Sequence, residues 1–418
     1  MSKFVIEGGR PLQGEIEVAA NKNAILPMMA ASLLTDEDCY LENVPCIADV
    51  TIMSEILQEL GGQVEYVGER RLRLNCSGVT ACEPSAHLVE RLRASIVLLG
   101  PLLARCGRAT IHHPGGDAIG TRPIGTHLDA LAELGAEFVI SNDFYRATLG
   151  PTNGNRTMFL DEASVTATEN TMLLASATPG TTTIRNAACE PHVANLARML
   201  IGMGADIEGA GHNVVTVRGA ELHGTRETVW PDHIEVGTFA ALAAASGGTV
   251  RIKNVVAEHL DMTLLTLQRM GAGIVLQEGI LDVSPAHLQA IPKIRVGTWP
   301  GFPTDLSSVF TVLATQAQGM TVVHDWMYEG RMFFIDRLVQ MGANIVLADP
   351  HRAVVSGPSP LRGGQHPSPD IRAGIALVMA GLIAEGRSEI EHIELIDRGY
   401  ERIDERLRQL GADIQRIE

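Results

Sequence analysis

Six cations stand where this chain could do chemistry: Lys22, Arg93, Arg122, Arg331, Arg372 and Arg398. Lys22 opens an apolar stretch in ANKNAILP, and Arg93 and Arg372 precede apolar runs in ERLRASIVLLG and PDIRAGIALVMAG. Arg331 in YEGRMFF falls at an expected helix start, Arg398 in IDRGYERI at an expected strand-to-helix turn, and Arg122 follows the glycine loop PGGDAIGTRP. Few carboxylates lie beside them in sequence. A buried guanidinium needs an anionic partner. Either each cation pairs with a distant Asp or Glu, or the set holds a small, multiply charged anion. Phosphate plus carboxylate is the chemistry such a set would suit.

Two carboxylates stand out beside these cations. Asp117 sits between Gly115-Gly116 and Gly120, where glycines let backbone approach a ligand closely. The loop is not a P-loop, because no Gly-Lys-Ser/Thr follows it. Asp305 lies in GFPTDLSSVF; taken alone, Pro303-Thr304-Asp305 before an apolar run reads as a helix N-terminus with Asp305 as its cap. His112 and His113 are adjacent, so on a strand they point to opposite faces and cannot share a metal.

The elements that must position these groups are written as a repeat. The phrases LQELGGQV, LAELGAEF, LIGMGADI, LQRMGAGI, LVQMGANI and LRQLGADI place Gly61, Gly135, Gly204, Gly271, Gly342 and Gly411 at spacings of 74, 69, 67, 71 and 69. Each glycine sits where a helix must end and a strand begin. The first unit reads strand GEIEVAA, helix KNAILPMMAASLL, strand DCYLENV, helix DVTIMSEILQEL, then a hairpin of QVEYVG and RLRLNC, and the later units are expected to follow this βαβαββ order. One helix per unit is apolar nearly all round, as in GTFAALAAAS and GIALVMAGLIA, so it must be buried on all sides. The other is striped, as in YERIDERLRQL. Three such units, helices inside and sheets outside, make one closed domain, and six make two.

The last unit stops after one strand, ADIQRIE, while KFVIEG precedes the first unit. The expected domains are therefore 22–230 and, closed by the N-terminal strand, 1–21 with 231–418, crossing over near 229–232. The alternative is a single solenoid of six units. Function is expected in a cleft between the domains, at helix starts.

Composition narrows the function. Lys+Arg is 33 against Asp+Glu 49, a net charge of −16, which argues against nucleic acid or an anionic membrane as partner. Aromatics are 4%, so platforms for stacking bases are scarce. The six cysteines form no CxxC and no metal-ligand spacing, and are expected to be small buried hydrophobes in a reducing compartment. MSKFVIEGGRPLQGE has no signal-peptide core, and the longest strongly apolar runs are about a dozen residues, too short to span a bilayer. A cytoplasmic location is expected. The oligomeric state is not written in the sequence.

ANKNAILP, RASIVLLGPLLA, PGGDAIGTRP, WPDHIEVGTF, FPTDLSS and IDRGYERI resemble the signature stretches of the UDP-N-acetylglucosamine enolpyruvyl transferases (1-carboxyvinyltransferases) over essentially the whole chain. The related shikimate-pathway enzyme would carry a Gly-Ser-Lys-Ser type motif where this chain has Asn21-Lys22-Asn23. The resemblance implies a two-domain inside-out α/β barrel of six repeats. It implies transfer of the enolpyruvyl group of phosphoenolpyruvate to the 3-hydroxyl of UDP-N-acetylglucosamine by addition and elimination, the first committed step of peptidoglycan synthesis. It implies no metal and no organic cofactor.

By the same resemblance, Lys22, Arg122 and Arg398 hold the phosphate and carboxylate of phosphoenolpyruvate, with Arg93, Arg331 and Arg372 in support. Asn23 and Asp305 contact the sugar, and Asp305 is the base for the attacking hydroxyl. Arg122, Pro123, Ser164, Val165 and Met327 belong to the nucleotide-sugar side. Two positions depart from the family. Much of it has a cysteine, thought to be the acid toward C3, where this chain has Asp117, so insensitivity to fosfomycin is expected. An Asp-Leu pair that helps hold the nucleotide is replaced by Gly125-Thr126. The second departure leaves room for a paralogue with another nucleotide-sugar or alcohol acceptor; a paralogue that binds the ligands without turnover is a separate alternative, against which stand the intact cationic cluster and both carboxylate positions. Cations on both domains are expected to close the cleft on substrate.

Overall fold

The computed structural model describes residues 2–117, 119–152 and 154–418. The chain divides into two compact units. One comprises Ala20–Gly116 and Pro123–Trp230; the other comprises the stretch up to Ala19, the loop Asp117–Arg122 and Pro231–Glu418.

In each unit three buried helices are wrapped by three sheets. The first unit buries Lys22–Ala31, Leu99–Cys106 and Val165–Ser176, and the second buries His233–Ser246, Ser307–Thr315 and Ile371–Ile383. These helices have no polar face for solvent and are covered along most of their length; Leu99–Cys106 is only half-buried over Ala104–Cys106. The covering strands alternate: in Thr249–Lys253, Val250 and Ile252 face the helices while Thr249 and Arg251 face water. The second helix of each repeat, such as Pro191–Gly202, is striped and lies outside.

A full sheet has one order. Lys293–Arg295 pairs in parallel with Gly319–His324, which runs antiparallel to Arg352–Gly357, itself paired with Asn344–Asp349. The expected inside-out α/β arrangement of repeats is present. Its second repeat departs from the βαβαββ pattern: the sheet of Arg108–His112, Phe144–Leu149 and Ala136–Ile140 has three strands. Residues ahead of it reach Arg108–His112 by the bond from Thr110 N to the Cys82 carbonyl, and Pro84 has no N–H to extend a ladder.

The circular joins are explicit. Lys3–Glu7 lies between Arg387–Glu391 and Asp413–Ile417, completing the sixth repeat. Gln13–Glu17 pairs with Thr249–Lys253, and Arg226–Thr228 pairs with Cys39–Glu42. The first and fourth repeats thus exchange opening strands. The units divide at Ala19/Ala20 and Trp230/Pro231, and Asp117–Arg122 groups with the C-terminal unit, unlike the expected span 22–230. The reason is local: Gly330 N donates to the Ile119 carbonyl, and Arg122 lies over the Tyr328 ring. Ala118, inside this loop, is outside the described residues.

The cysteines correct the sequence reading. Cys39 and Cys76 are buried, but Cys46 is exposed and Cys82, Cys106 and Cys189 are half-buried. Among the described residues no helix is long and apolar enough to cross a membrane.

Candidate active site

In the C-terminal unit, Asp305 is the hub. It lies in the turn Thr304–Leu306, and the cap positions of that turn and of the helix Ser307–Thr315 are held by Pro303 and Leu306. Its carboxylate instead accepts from Arg331 Nη2 at 3.1 Å and from Arg372 Nη2 at 2.8 Å. Asp305 thus stands beside the cap position and bridges two guanidinium groups. Asp370 is the real cap: it precedes Ile371–Ile383 and accepts from the backbone N–H groups of Arg372 and Ala373. Burial pushes the Asp370 carboxyl up, against the pull of Arg331. Arg372 Nη1 also donates to the Tyr400 hydroxyl at 3.1 Å, which meets Thr238 Oγ1 at 3.0 Å. Burial opposes the Arg372 charge, but Asp305, Tyr400 and Asp232 raise its pKa.

Arg331 is in a turn, not at a helix start; the helix Ile335–Gln340 begins four residues later. It is 2% exposed. Its Nη1 is 3.9 Å from Asp370, and its Nε and Nη1 have no hydrogen-bond acceptor. Buried guanidinium donors without acceptors are costly, so this face is suited to an anion.

Asp117 is held by Arg398 Nη1 at 2.9 Å. Tyr328 has Arg331 over its ring at 5.2 Å and Arg122 at 5.8 Å, so one aromatic ring gathers two cations. Arg122 has φ 45°, a conformation costly for a non-glycine residue. Met327 N donates to Asp325. Asp325 also accepts from Thr304 and Ser307, which ties the segment before Tyr328 to the Asp305 turn.

The other unit carries the remaining groups. Asn21 caps Lys22–Ala31 by accepting from Asn23 N. Lys22 Nζ is 2.8 Å from Asp49, which is almost fully buried. Arg93 opens the turn Arg93–Leu98. Gly115 packs so tightly under this segment that a Cβ there would stand 1.6 Å from the Glu90 carbonyl oxygen. Its lack of a side chain thus admits protein backbone. Ser164 caps Val165–Ser176 and accepts from Ala167 N. Pro123 and the helix Gly125–Glu133 follow the loop. Gly125 faces open space, while Thr126 Oγ1 donates to Asp161 at 2.7 Å.

His127 was not singled out by sequence, yet it organises this unit. Asn170 Oδ1 accepts from Gly100 N, so its Nδ2 must donate, to the Ile96 carbonyl and to His127 Nδ1. Nε2–H therefore donates to Thr166 Oγ1 at 2.9 Å. Burial, and then Arg93, push the His127 pKa down to about 3. The ring is a neutral strut between the helix Gly125–Glu133 and the buried helix Val165–Ser176.

The structure thus groups Asp117, Arg122, Asp305, Met327, Arg331, Arg372 and Arg398 in one unit, and Lys22, Asn23, Arg93, Pro123, Ser164 and Val165 in the other. The distant-carboxylate alternative holds for Lys22, Arg331, Arg372 and Arg398. Asp49, Asp161, Asp370 and Tyr400 went unrecognised. Of these, Asp370 had a sequence signal, as a cap before an apolar run. Among the described residues no three His, Cys, Asp or Glu form a metal-ligand set.

The family model for EPSP synthase (3-phosphoshikimate 1-carboxyvinyltransferase) matches residues 6–407. The chain is 43% identical over 424 residues to the UDP-N-acetylglucosamine 1-carboxyvinyltransferase of Treponema denticola, covering 99% of both chains. It is 44% identical over 425 residues to that of Bradyrhizobium diazoefficiens, covering 99% of this chain and 98% of the relative. The crystal structure of the enolpyruvyl transferase NikO from Streptomyces tendae is 25% identical, with a TM-score of 0.89 over 99% of this chain and 98% of that one. EPSP synthase from Acinetobacter baumannii shares the fold at 18% identity, with a TM-score of 0.77 and complete coverage of both chains. The shared length, the identity and the matching motifs have one meaning: this chain belongs to the family of UDP-N-acetylglucosamine 1-carboxyvinyltransferases.

Proposed function

We propose that this chain transfers the enolpyruvyl group of phosphoenolpyruvate to the 3-hydroxyl of UDP-N-acetylglucosamine, with release of phosphate. The observation that carries the residue assignment is the buried Arg331, whose Nε and Nη1 lack an acceptor while its Nη2 holds Asp305. An anionic substrate supplies the missing acceptors next to a carboxylate able to take a proton.

In the addition, C3 of phosphoenolpyruvate gains a proton from Asp117, and C2 gains the sugar oxygen while Asp305 takes the hydroxyl proton. In the elimination C3 returns a proton to the Asp117 carboxylate, the bond from C2 to the phosphate oxygen breaks, and phosphate leaves with the proton that Asp305 had taken. Arg398 Nη1 donates to Asp117 at 2.9 Å. The substrate anion takes over that guanidinium, which frees Asp117 to carry a proton. Lys22, Arg122 and Arg398 serve the phosphate and carboxylate, and Arg93, Arg331 and Arg372 support them. Asn23, Ser164, Val165, Pro123 and Met327 serve the nucleotide sugar. Asp161, oriented by Thr126, takes the place of the carboxylate missing at Gly125. Both substrates are metabolites of the cytoplasm, which is where we place the enzyme, at the start of peptidoglycan synthesis.

The test is phosphate release from phosphoenolpyruvate, with and without UDP-N-acetylglucosamine. Release should require the nucleotide sugar and fall about 10²–10⁴-fold in Asp117→Asn, the span of a general acid. Release that is independent of the nucleotide sugar, or undiminished in the variant, rejects the assignment.

A further inference from the structure

One buried hydroxyl ties together the starts of the three buried helices of the C-terminal unit. It belongs to Tyr400, in the turn that follows Ile393–Leu395. Tyr400 is 1% exposed, and its backbone N–H is held by the Ile396 carbonyl. The hydroxyl meets Thr238 on the first buried helix, His233–Ser246, and Arg372 on the third, Ile371–Ile383. Arg372 Nη2 in turn reaches Asp305, just ahead of the second, Ser307–Thr315. Ser308 Oγ, on that second helix, donates to the Arg372 carbonyl at 2.9 Å. The direction of each bond is fixed. Thr238 Oγ1 donates its one hydrogen to the Ile234 carbonyl at 2.9 Å, so toward Tyr400 it accepts. The Tyr400 hydrogen is therefore spent on Thr238, and the oxygen lone pairs face Arg372 Nη1. Burial pushes the pKa of this hydroxyl up, which keeps the phenol neutral beside the guanidinium.

We propose that Tyr400 is a positioning residue for the transfer reaction, acting through Arg372 on Asp305. The inference rests on the function proposed above, in which Asp305 takes the hydroxyl proton. Tyr400 is shut off from solvent, so it acts on the reaction only through its neighbours. Two bonds at different nitrogens, Nη1 to Tyr400 and Nη2 to Asp305, fix the plane of the Arg372 guanidinium. That plane sets where the Asp305 oxygen stands. The Tyr400 ring lies 5.5 Å from the guanidinium carbon, a contact that phenylalanine would keep. Removing the hydroxyl alone leaves Nη1 buried without this acceptor, which is costly. The guanidinium then turns to find another partner, and the carboxylate it holds moves with it. A shift of about 1 Å in a reacting group is enough to cost up to about 10²-fold in rate.

The experiment measures phosphate release by the full chain, by Tyr400→Phe, by Thr238→Val and by the double variant. In Tyr400→Phe kcat should fall about tenfold, within the range such misplacement allows, while the KM for UDP-N-acetylglucosamine stays within about twofold. Thr238→Val, which removes the acceptor of the Tyr400 hydrogen, should lower kcat in the same direction. The double variant should be no slower than Tyr400→Phe, because both changes cut one chain of bonds. An unchanged kcat in Tyr400→Phe, or losses that multiply in the double variant, overturns the proposal. A parent that releases no phosphate in the presence of UDP-N-acetylglucosamine instead refutes the function, and this role with it. A second readout needs no turnover. Arg372 is 5% exposed, and phenylglyoxal with peptide mapping should modify it at least threefold faster in Tyr400→Phe than in the parent. Equal labelling means that the hydroxyl does not hold the guanidinium, and refutes the positioning role whatever the activity.

Discussion

Asp117 distinguishes this chain at the scale of the residue. The resemblance implies a thiol at that position in much of the family, and a carboxylate is the weaker nucleophile toward an epoxide. Fosfomycin should therefore inactivate the enzyme poorly, and rapid time-dependent loss of activity with an adduct on Asp117 would refute this. Asp161 is the second distinctive group. Thr126 aims it, while Gly125 beside it leaves open space. Asp161→Asn should raise the KM for UDP-N-acetylglucosamine about tenfold, equivalent to about 1.4 kcal/mol, with kcat nearly unchanged. Unchanged steady-state kinetics would remove Asp161 from the nucleotide-sugar contacts.

The repeat glycines decide how elements end. All six have positive φ, from 79° at Gly271 to 110° at Gly204. Their surroundings differ, however. At Gly411, φ 85°, a Cβ would meet nothing within 4 Å, whereas at Gly61, φ 106°, it would stand 2.6 Å from the Gly78 carbonyl oxygen. Gly411→Ala should cost the left-handed penalty alone, about 1–2 kcal/mol. Gly61→Ala should cost more, because the backbone at Gly78 must move as well. Urea unfolding of the two variants makes the comparison; equal losses would mean that the Gly78 backbone yields freely. The elements themselves were largely legible. Apolar helices, striped helices and the hairpins appear where their periodicity placed them, because pattern and burial agree locally. The three-stranded sheet of the second repeat was not legible, since the missing N–H of Pro84 stops a ladder only where Arg108–His112 lies beside it in space.

Stability of the whole molecule against acid is set by buried groups far apart in sequence. His127 is neutral when folded, with its pKa pushed to about 3, against about 6.5 in the unfolded chain. Below pH 6.5 the unfolded state binds the extra proton, so stability falls as pH drops from 6.5 toward 3, by at most about 5 kcal/mol. Asp232 acts in the opposite sense. Burial raises it to about 6, against Arg372, so between pH 6 and its unfolded value near 4 the folded state binds the proton and stability rises as pH falls, by roughly 3 kcal/mol. His127→Gln should flatten the acid limb of the unfolding free energy. Asp232→Asn, which keeps a capping oxygen, should gain relative to the parent as pH rises from 4 to 7. A pH profile unaltered by both substitutions would mean that neither group titrates differently on folding.

Sequence by itself determined the repeat, its six glycines, the buried and striped helices, the need of the last repeat for an extra strand, and the cations and carboxylates of the family motifs. These follow from periodicity, backbone conformation and residue type, all of which are local. Tertiary structure alone decided which charges meet. Asp305 reads as a helix cap until Arg331 and Arg372, 26 and 67 residues away, arrive on either side of it. Lys22 acquires Asp49, and His127 acquires its tautomer through Asn170 and Gly100. The loop Asp117–Arg122 changes unit because Tyr328 and Gly330 hold it. The physical reason is common to all of these. The energy of an ion pair or a buried hydrogen bond depends on distance and burial in space, and neither is encoded in the spacing of residues along the chain.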